Sequence, residues 1–114
     1  MKYLALIYNE PEKVNQPDPS GKMNAGYQAC TAVFQRDGVM LGGEALQPVT
    51  TATSVRVRDG KTTVFDGPFA ETKETLGGFY LFDCANLDEA IKYAAMIPGA
   101  ATGTIELRPV VTFS

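Results

Sequence analysis

Apolar side chains recur with two different periods along this chain, and the two periods predict its secondary structure. Near the start, the segment Lys2–Tyr8 is apolar at almost every position, which is typical of a strand with two buried faces. Farther on, apolar residues repeat at helical spacing and predict a helix over Lys22–Asp37, with Gly38 placed to end it. The proline-rich segment Asn9–Gly21 between them is predicted to be a loop. The helical stripe consists of Met23, Tyr27, Cys30 and Phe34.

Alternating positions in the middle of the chain predict a strand followed by a β-hairpin. The strand is Val39–Leu46, and its glycine pair, Gly42-Gly43, indicates a bulge or a close backbone approach. Two further strands, Thr53–Arg58 and Lys61–Asp66, flank Asp59-Gly60, a dipeptide that favours a two-residue type I′ turn. The register that follows pairs Arg58 with Lys61, Arg56 with Thr63 and Val55 with Val64. One face of the hairpin then carries Val55, Val57, Thr62 and Val64.

The last third of the chain repeats the order strand, helix, strand. Leu76–Cys84 is predicted to be a strand, and its aromatic residues alternate between the two faces. Asn86 offers an N-cap and Glu89 stands three residues on, which predicts a helix that ends at about Ile97. Thr104–Val110 is the last predicted strand. The predicted buried side of the second helix consists of Ala90, Ile91, Ala94, Ala95 and Ile97.

This order of elements predicts an α+β fold with one domain over residues 1–114. Without the hairpin, it is the ferredoxin-like split βαβ sandwich, in which both helices cover the same face of a four-stranded antiparallel sheet. The two central strands, Lys2–Tyr8 and Leu76–Cys84, are apolar on both faces. Because an uncovered apolar face usually marks an interface, we expect a homodimer formed through the sheet face. The alternative is that the inserted hairpin folds over that face.

Composition narrows the possible partners and cofactors. The chain of 114 residues carries a net charge of −3 and contains no block of basic residues, so direct nucleic-acid binding is not expected. It contains no His and only two Cys, Cys30 and Cys84, at a spacing that matches no metal site. We therefore expect no metal and no cofactor. No apolar run reaches membrane-spanning length and no signal peptide is apparent, which predicts a cytoplasmic protein without membrane contact.

The segment Asp66–Glu74, with the sequence DGPFAETKE, concentrates the candidate catalytic groups. Asp66 is a candidate base or ligand, and the alternative is that it stabilises a turn before Gly-Pro. Glu71 is the second candidate catalytic carboxylate. With Glu74, a candidate ligand-binding residue, it would share one face of a helical turn, or both would lie on a solvated surface. Phe69 is predicted to fill the core.

Basic and aromatic residues supply further candidate ligand-binding groups. Arg108 and Arg56 could bind a carboxylate or phosphate, and the alternative for Arg108 is an ion pair with Asp66, Glu71 or Glu74. The double glycine Gly77-Gly78 permits a close approach by a ligand or by another strand, and we favour the strand. The predicted pocket between helices and sheet is lined by Tyr8, Tyr27 and Tyr80.

Several strings in one order, DGPFAETKE, LGGFYLFDC, LDEAIKYA and IELRPV, resemble the DGPF proteins of the YCII-related family over nearly the whole chain. The resemblance implies a ferredoxin-like subunit of a dimeric α/β barrel and a poorly defined biochemical role. It also suggests a link to an extracytoplasmic-function sigma factor system. Some YCII relatives resemble enzymes built around a His and an Asp, but this chain has no His, so that mechanism does not carry over.

Three functions therefore stay open at the level of sequence. The favoured one is a small-molecule-binding or regulatory module. The second is a cofactor-free enzyme of the isomerase, lyase or dehalogenase type that acts on a small organic acid, with Asp66 or Glu71 moving a proton and Arg108 holding the carboxylate. The third is structural, with the DGPF segment locking the dimer.

Overall fold

The structure, a computed structural model, describes residues 1–13, 18 and 20–113, and for Lys13 it describes the backbone alone. The strands are β1 (Lys2–Asn9), β2 (Met40–Ala45), β3 (Thr53–Arg58), β4 (Lys61–Asp66), β5 (Thr75–Asp83) and β6 (Thr104–Pro109). The helices are α1 (Lys22–Arg36) and α2 (Leu87–Ala94). The loop predicted at 9–21 lies partly outside the described residues, and its described part includes a short 3₁₀ turn at Pro11–Lys13.

Four strands form one antiparallel sheet in the order β2-β5-β1-β6, and β3 pairs with β4 in a separate two-stranded sheet. The predicted α+β class is therefore confirmed, and the topology is compatible with the ferredoxin-like pattern. The apolar strands β1 and β5 occupy the centre of the sheet, as their composition predicts. Among the described residues, no helix has both the length and the apolar composition needed to cross a membrane.

Both helices pack on the same face of the four-stranded sheet, and the core lies between them and that face. Phe34 of α1 and Phe82 of β5 are fully buried, with ring centroids 4.9 Å apart in an edge-to-face arrangement. The ring centroids of Tyr93 of α2 and Phe34 lie 5.8 Å apart. The small side chain of Ala5, on the central strand β1, lets these rings lie close to the sheet. This aromatic cluster joins both helices to the sheet.

The ends of the helices follow the predicted signals in part. Gly38 has a φ of +69°, the left-handed conformation that ends α1 as predicted. The Asn86 Oδ1 accepts a 2.9 Å hydrogen bond from the Glu89 backbone N–H, which confirms the predicted cap of α2. The predicted end of α2 is wrong, because the helix stops at Ala94 and Ile97 is extended, the conformation favoured before proline.

The predicted buried side of α2 is also partly wrong. Ile91 and Ala95 are exposed, whereas Tyr93 is buried. Ala90, Tyr93 and Ala94 stand at i, i+3 and i+4 and form the face that packs on the sheet, so that Ile91 is rotated out of it.

The inserted hairpin, β3 and β4, is referred to below as the arm. Its register is the predicted one, and Asp59 and Gly60 have φ values of +51° and +74°, as a type I′ turn requires. The arm strands contact each other extensively and no other strand or helix to a comparable extent. The described chain is a slab with extents of 47 × 47 × 19 Å. Because a further stacked layer would add about 10 Å, the arm extends beside the body.

The second face of the four-stranded sheet has no helix on it and is referred to below as the open face. Its apolar side chains are partly exposed, and they come mainly from the two central strands. The alternative in which the hairpin folds over this face does not occur in the structure, because the arm makes no extensive contact with β1 or β5. The members of the open face include Leu4, Leu6, Tyr8, Leu76, Phe79 and Leu81.

Candidate functional site

A cleft of about 730 Å³ lies between α1 and the covered face of the sheet. Its walls come from the first half of α1, from β2 and β5 where these strands pair, and from the turn before β6. Ligand-binding cavities commonly measure about 300–1,000 Å³, so the cleft can hold a small organic molecule. Apolar atoms dominate its surface, and a few hydroxyl, amide and carboxyl residues interrupt them.

Two tyrosines and a threonine form the polar part of the cleft wall. Tyr27 and Thr31 lie one turn apart on α1, so both face the sheet, where Tyr80 projects from β5. The Thr31 and Tyr80 hydroxyls share a 2.9 Å hydrogen bond, and the Cys30 Sγ lies 3.7 Å from the same tyrosine oxygen. These contacts hold the Tyr80 ring in place beside Phe34.

Both tyrosines are protonated at neutral pH, and burial shifts the loss of the proton to a still higher pH. Burial raises the pKa of Tyr80 to about 12, against a smaller opposing effect of the hydrogen bond from Thr31. Burial also raises the pKa of Tyr27, whose hydroxyl approaches the backbone of Gly99. Neither phenol can therefore act as a base near neutral pH, but each is a hydrogen-bonding group with a fixed position.

Glycines form the floor of the cleft where β2 crosses β5. A Cβ at Gly43 would lie 2.9 Å from the Phe79 carbonyl oxygen, and one at Gly78 would lie 2.9 Å from the Glu44 carbonyl oxygen. Both distances are shorter than side-chain carbons tolerate, so these positions need glycine because the two strands approach closely. For Gly78, the structure confirms the favoured prediction that another strand is what approaches. The register of β2 shifts between Met40 and Gly42, where β2 carries one extra residue, and this confirms the predicted irregularity of the strand.

The rim of the cleft carries negative charge and hydrogen-bonding groups. Asp18 accepts hydrogen bonds from the backbone N–H groups of Met23 and Asn24, at 3.4 and 3.0 Å. It thereby compensates the N-terminus of α1, which has no side-chain cap from Gly21. No Lys or Arg occurs among the described lining residues of the cleft, so the cleft offers no cation to an acidic ligand.

The predicted site residues do not gather at this cleft. Tyr80 lines it, as does Tyr27, whereas Tyr8 lies on the open face opposite Thr104 of β6. Asp66 ends β4 opposite Thr53 in the arm and is not among the residues that line the cleft. The part of the chain that the structure describes contains no cluster of His, Cys, Asp or Glu that could hold a metal ion.

The charged candidates have other partners. Arg108 forms a 3.2 Å ion pair with Glu106, so the predicted pair with Asp66, Glu71 or Glu74 is wrong. Arg108 and Glu106 are two residues apart on the same strand, and side chains at that spacing project from one face. Glu74 accepts a 2.9 Å hydrogen bond from the Thr104 hydroxyl. Arg56 is in the arm, where its guanidinium stacks on Phe65, 5.7 Å from the ring centroid.

Two expectations for the DGPF segment are wrong. Phe69 is 76% exposed and does not fill the core; it follows the turn at Gly67, which has a φ of +95°. Glu71 and Glu74 do not share a helical turn, because residues 67–74 form no helix. The segment is fixed at its start, where the Gly67 N–H donates to the Ala52 carbonyl and the Ser54 hydroxyl donates to the Gly67 carbonyl.

Sequence reasoning predicted Tyr27 and Tyr80 but missed the other polar residues of the cleft, among them Thr31, Asn9 and Thr102. Thr31 follows Tyr27 by four positions, so a helical plot could have placed them together. Asn9 donates a 2.9 Å hydrogen bond to Thr102, and this contact joins residues far apart in sequence. No local pattern predicts such a pair.

The comparisons with known proteins agree with the resemblance seen in the sequence. The model of the YCII-related domain matches residues 1–114. An uncharacterized protein of Rhizobium meliloti (strain 1021) is 37% identical over 117 residues, which cover 99% of this chain and 94% of that protein. These matches extend over the sheet, both helices and the arm. The chain therefore belongs to the YCII-related family.

Proposed function

We propose that this protein is a homodimeric module that binds a small molecule in the cleft between α1 and the sheet. The single observation that carries the proposal is the cleft itself, which has an apolar wall, a glycine floor and three hydroxyl-bearing side chains in fixed positions. Such a combination of apolar surface and a few convergent polar groups is typical of ligand sites.

The charges of the cleft favour a neutral or cationic ligand with an apolar body. No cation lines the described cleft, and Asp18 already compensates the positive end of the α1 dipole. An organic acid would therefore lose its hydration without gaining a counter-charge. A hydroxyl or ammonium group could instead bond to the oxygen atoms of Tyr27, Thr31 or Tyr80.

The open face supports the dimeric part of the proposal. Central side chains such as Leu6 and Phe79 stand on it without a covering layer. At about 25 cal/mol per Å² of apolar area, a second copy placed face to face would gain several kcal/mol. The product would be a dimeric α/β barrel with one cleft on the outer side of each sheet.

The biological setting of this proposal rests on the resemblance alone. A regulatory or accessory role in the cytoplasm, beside an extracytoplasmic-function sigma factor, suits a protein that binds a ligand. The enzyme alternative receives no support from the geometry, because neither Asp66 nor Glu71 lines the cleft. A reaction that used them would need a second, separate cavity.

A matched set of probes tests the proposal. 3-Phenylpropylamine, 3-phenylpropanol and 3-phenylpropanoate share an aryl-alkyl body and differ in charge. Each is titrated into the ¹⁵N-labelled protein. We expect the amine or the alcohol to shift the amide signals of Thr31, Gly43 and Tyr80, and to bind at least about tenfold more tightly than the acid.

Two variants of α1 complete this test. Asn24→Trp places a large side chain at the cleft and should abolish the shifts, whereas Ala29→Trp, on an exposed position of the same helix outside the cleft, should leave them intact. The proposal is overturned if no probe shifts the cleft signals. Tight binding of the acid alone would reject the proposed ligand class and leave the site standing.

A further inference from the structure

We infer that the arm is an intersubunit clasp, which packs its valine face and the neighbouring Phe69 against a second copy of this chain. The inference rests on the dimer proposed above and adds a second contact region to it. The carrying observation is a hairpin with one apolar face that no other part of the described chain covers.

The arm is amphipathic, and its apolar face is not buried against its own subunit. Val55, Val57 and Val64 are 60%, 57% and 59% exposed, and the register places all three on one face. The opposite face carries Arg56, Arg58 and Lys61, which suit contact with water, and the half-buried ring of Phe65, over which Arg56 lies. A hairpin that served only as a connection would have no reason to keep three valines on one face.

Phe69 is a further exposed apolar side chain, close in sequence to the base of the arm. It follows β4 by three residues and is 76% exposed, although a phenylalanine side chain gains much by burial. Aromatic side chains of this kind often dominate the binding energy of protein interfaces. The hydrogen bonds of Gly67 to Ala52 and Ser54 fix the turn that presents it.

The stability of the arm also calls for a contact. An isolated two-stranded hairpin is at best marginally stable in water. The arm has six-residue strands and lacks extensive contact with the body, so its own subunit contributes little to holding it. A surface that covers the valine face would supply the missing stabilisation.

The area of the open face indicates that the covering surface is a second copy. Four strands about 4.8 Å apart, with about six residues each, present a projected face of roughly 400 Å² per subunit. A stable interface buries about 800 Å² of accessible surface per partner. The accessible surface of a face exceeds its projected area, so the open face supplies a large part of such an interface and the arm enlarges it. One arm adds roughly 200 Å² of projected face, and two-fold symmetry lets each subunit both give and receive an arm.

Sedimentation equilibrium of three proteins tests the inference. The first is the wild type, and the second is the triple variant Val55→Thr, Val57→Thr, Val64→Thr, which keeps the shape and β-propensity of the side chains and adds hydroxyls. The third, a matched control on the opposite face, is Arg58→Ser, Lys61→Ser, Thr63→Ala. We expect the threonine variant to weaken the dimer by about 100-fold or more and the control to change it by less than about fivefold.

Hydrogen exchange gives a second reading that does not depend on how the variants fold. The amides of Arg56 and Thr63, a hydrogen-bonded pair of the arm, should exchange slowly in concentrated wild-type protein and fast after dilution below the dimer dissociation constant. Phe69→Ser should also weaken the dimer. An unchanged dissociation constant in the threonine variant, with arm amides that exchange equally fast at both concentrations, rejects the clasp and leaves the sheet-face dimer intact. A wild type that stays monomeric at every concentration overturns both proposals.

Discussion

On the covered face of the sheet, Ala5 and Phe82 are fully buried beneath the helices, whereas on the opposite face their chain neighbours Leu6 and Leu81 remain partly exposed. The strands are the same and the side chains are equally apolar. The difference lies in what covers them, since both helices pack on one side. The comparison teaches that β1 and β5 have a composition suited to two buried faces, although one subunit buries only one.

The two faces also divide the candidate chemistry. The covered face contains the cleft with its protonated tyrosines, and its polar groups bond to one another. The open face carries the charged pair Arg108 and Glu106 and the hydrogen bond from Thr104 to Glu74 along β6. A site on the covered face is thus complete within one subunit. The environment of Arg108 and Glu106, in contrast, depends on which surface packs against the open face.

The largest effect expected from this comparison is on stability. Phe82→Ala removes a ring that Phe34, Tyr80 and Tyr93 surround, and should cost about 3–5 kcal/mol of unfolding free energy through lost burial and a cavity. Leu81→Ala, one position along β5 on the open face, should cost far less when the protein is dilute enough to be monomeric. Urea unfolding at low concentration measures both, and equal losses would contradict the assignment of the two faces.

A smaller effect is expected when the open face alone is changed. Phe79→Ser should lower the unfolding free energy of the monomer by less than about 1.5 kcal/mol, because its side chain is already partly in water. The same variant should weaken the proposed dimer by at least about tenfold, because the proposed interface would lose an aromatic side chain. Phe79→Leu serves as the conservative control. Sedimentation of the two variants at matched concentrations measures their dimer dissociation constants. An unchanged constant in Phe79→Ser would argue against contact through this face.

Local signals in the sequence were sufficient for most of the fold. The Asp59-Gly60 turn fixed the hairpin register because only one two-residue loop geometry suits it. Gly38 and Asn86 marked helix ends through their own backbone and side-chain chemistry. The end of α2 failed because Ile97 is buried without being helical, and an apolar pattern cannot separate those two properties.

The site was less accessible from sequence, because it depends on contacts between distant residues. Tyr80 was identified as a pocket residue, but its partner Thr31 lies on another element and has no distinctive sequence context. The charges of the DGPF segment predict a catalytic site there, yet none of its charged residues lines the cleft. Phe69 was assigned to the core from the average behaviour of aromatic residues, which does not apply to a side chain on an exposed turn.

The smallest expected effect is a pH dependence confined to the covered side. Tyr93, buried there, donates a 2.9 Å hydrogen bond to Asp37, which also pairs with Arg36. The hydrogen bond from Arg36 is the largest cause that lowers the pKa of Asp37, and the hydrogen bond from Tyr93 is the next. The hydrogen bond to Asp37 is in turn the main cause that raises the pKa of Tyr93. A carboxyl with a lowered folded pKa stabilises the fold above its ordinary value near 3.9, and this contribution is lost as the pH falls through the folded pKa.

Asp37→Asn should therefore flatten the acid limb of the stability profile below about pH 4, measured as the urea midpoint from pH 2 to pH 7. Tyr93 adds an alkaline limb, because a tyrosine with a raised folded pKa stabilises the fold below about pH 10 and stops doing so as the pH rises through that folded pKa. Tyr93→Phe should reduce both limbs, whereas Asp59→Asn in the turn of the arm should reduce neither. An acid limb that persists unchanged in Asp37→Asn would show that other carboxylates cause the acid sensitivity of the covered side. The two faces would then differ in packing but not in their response to pH.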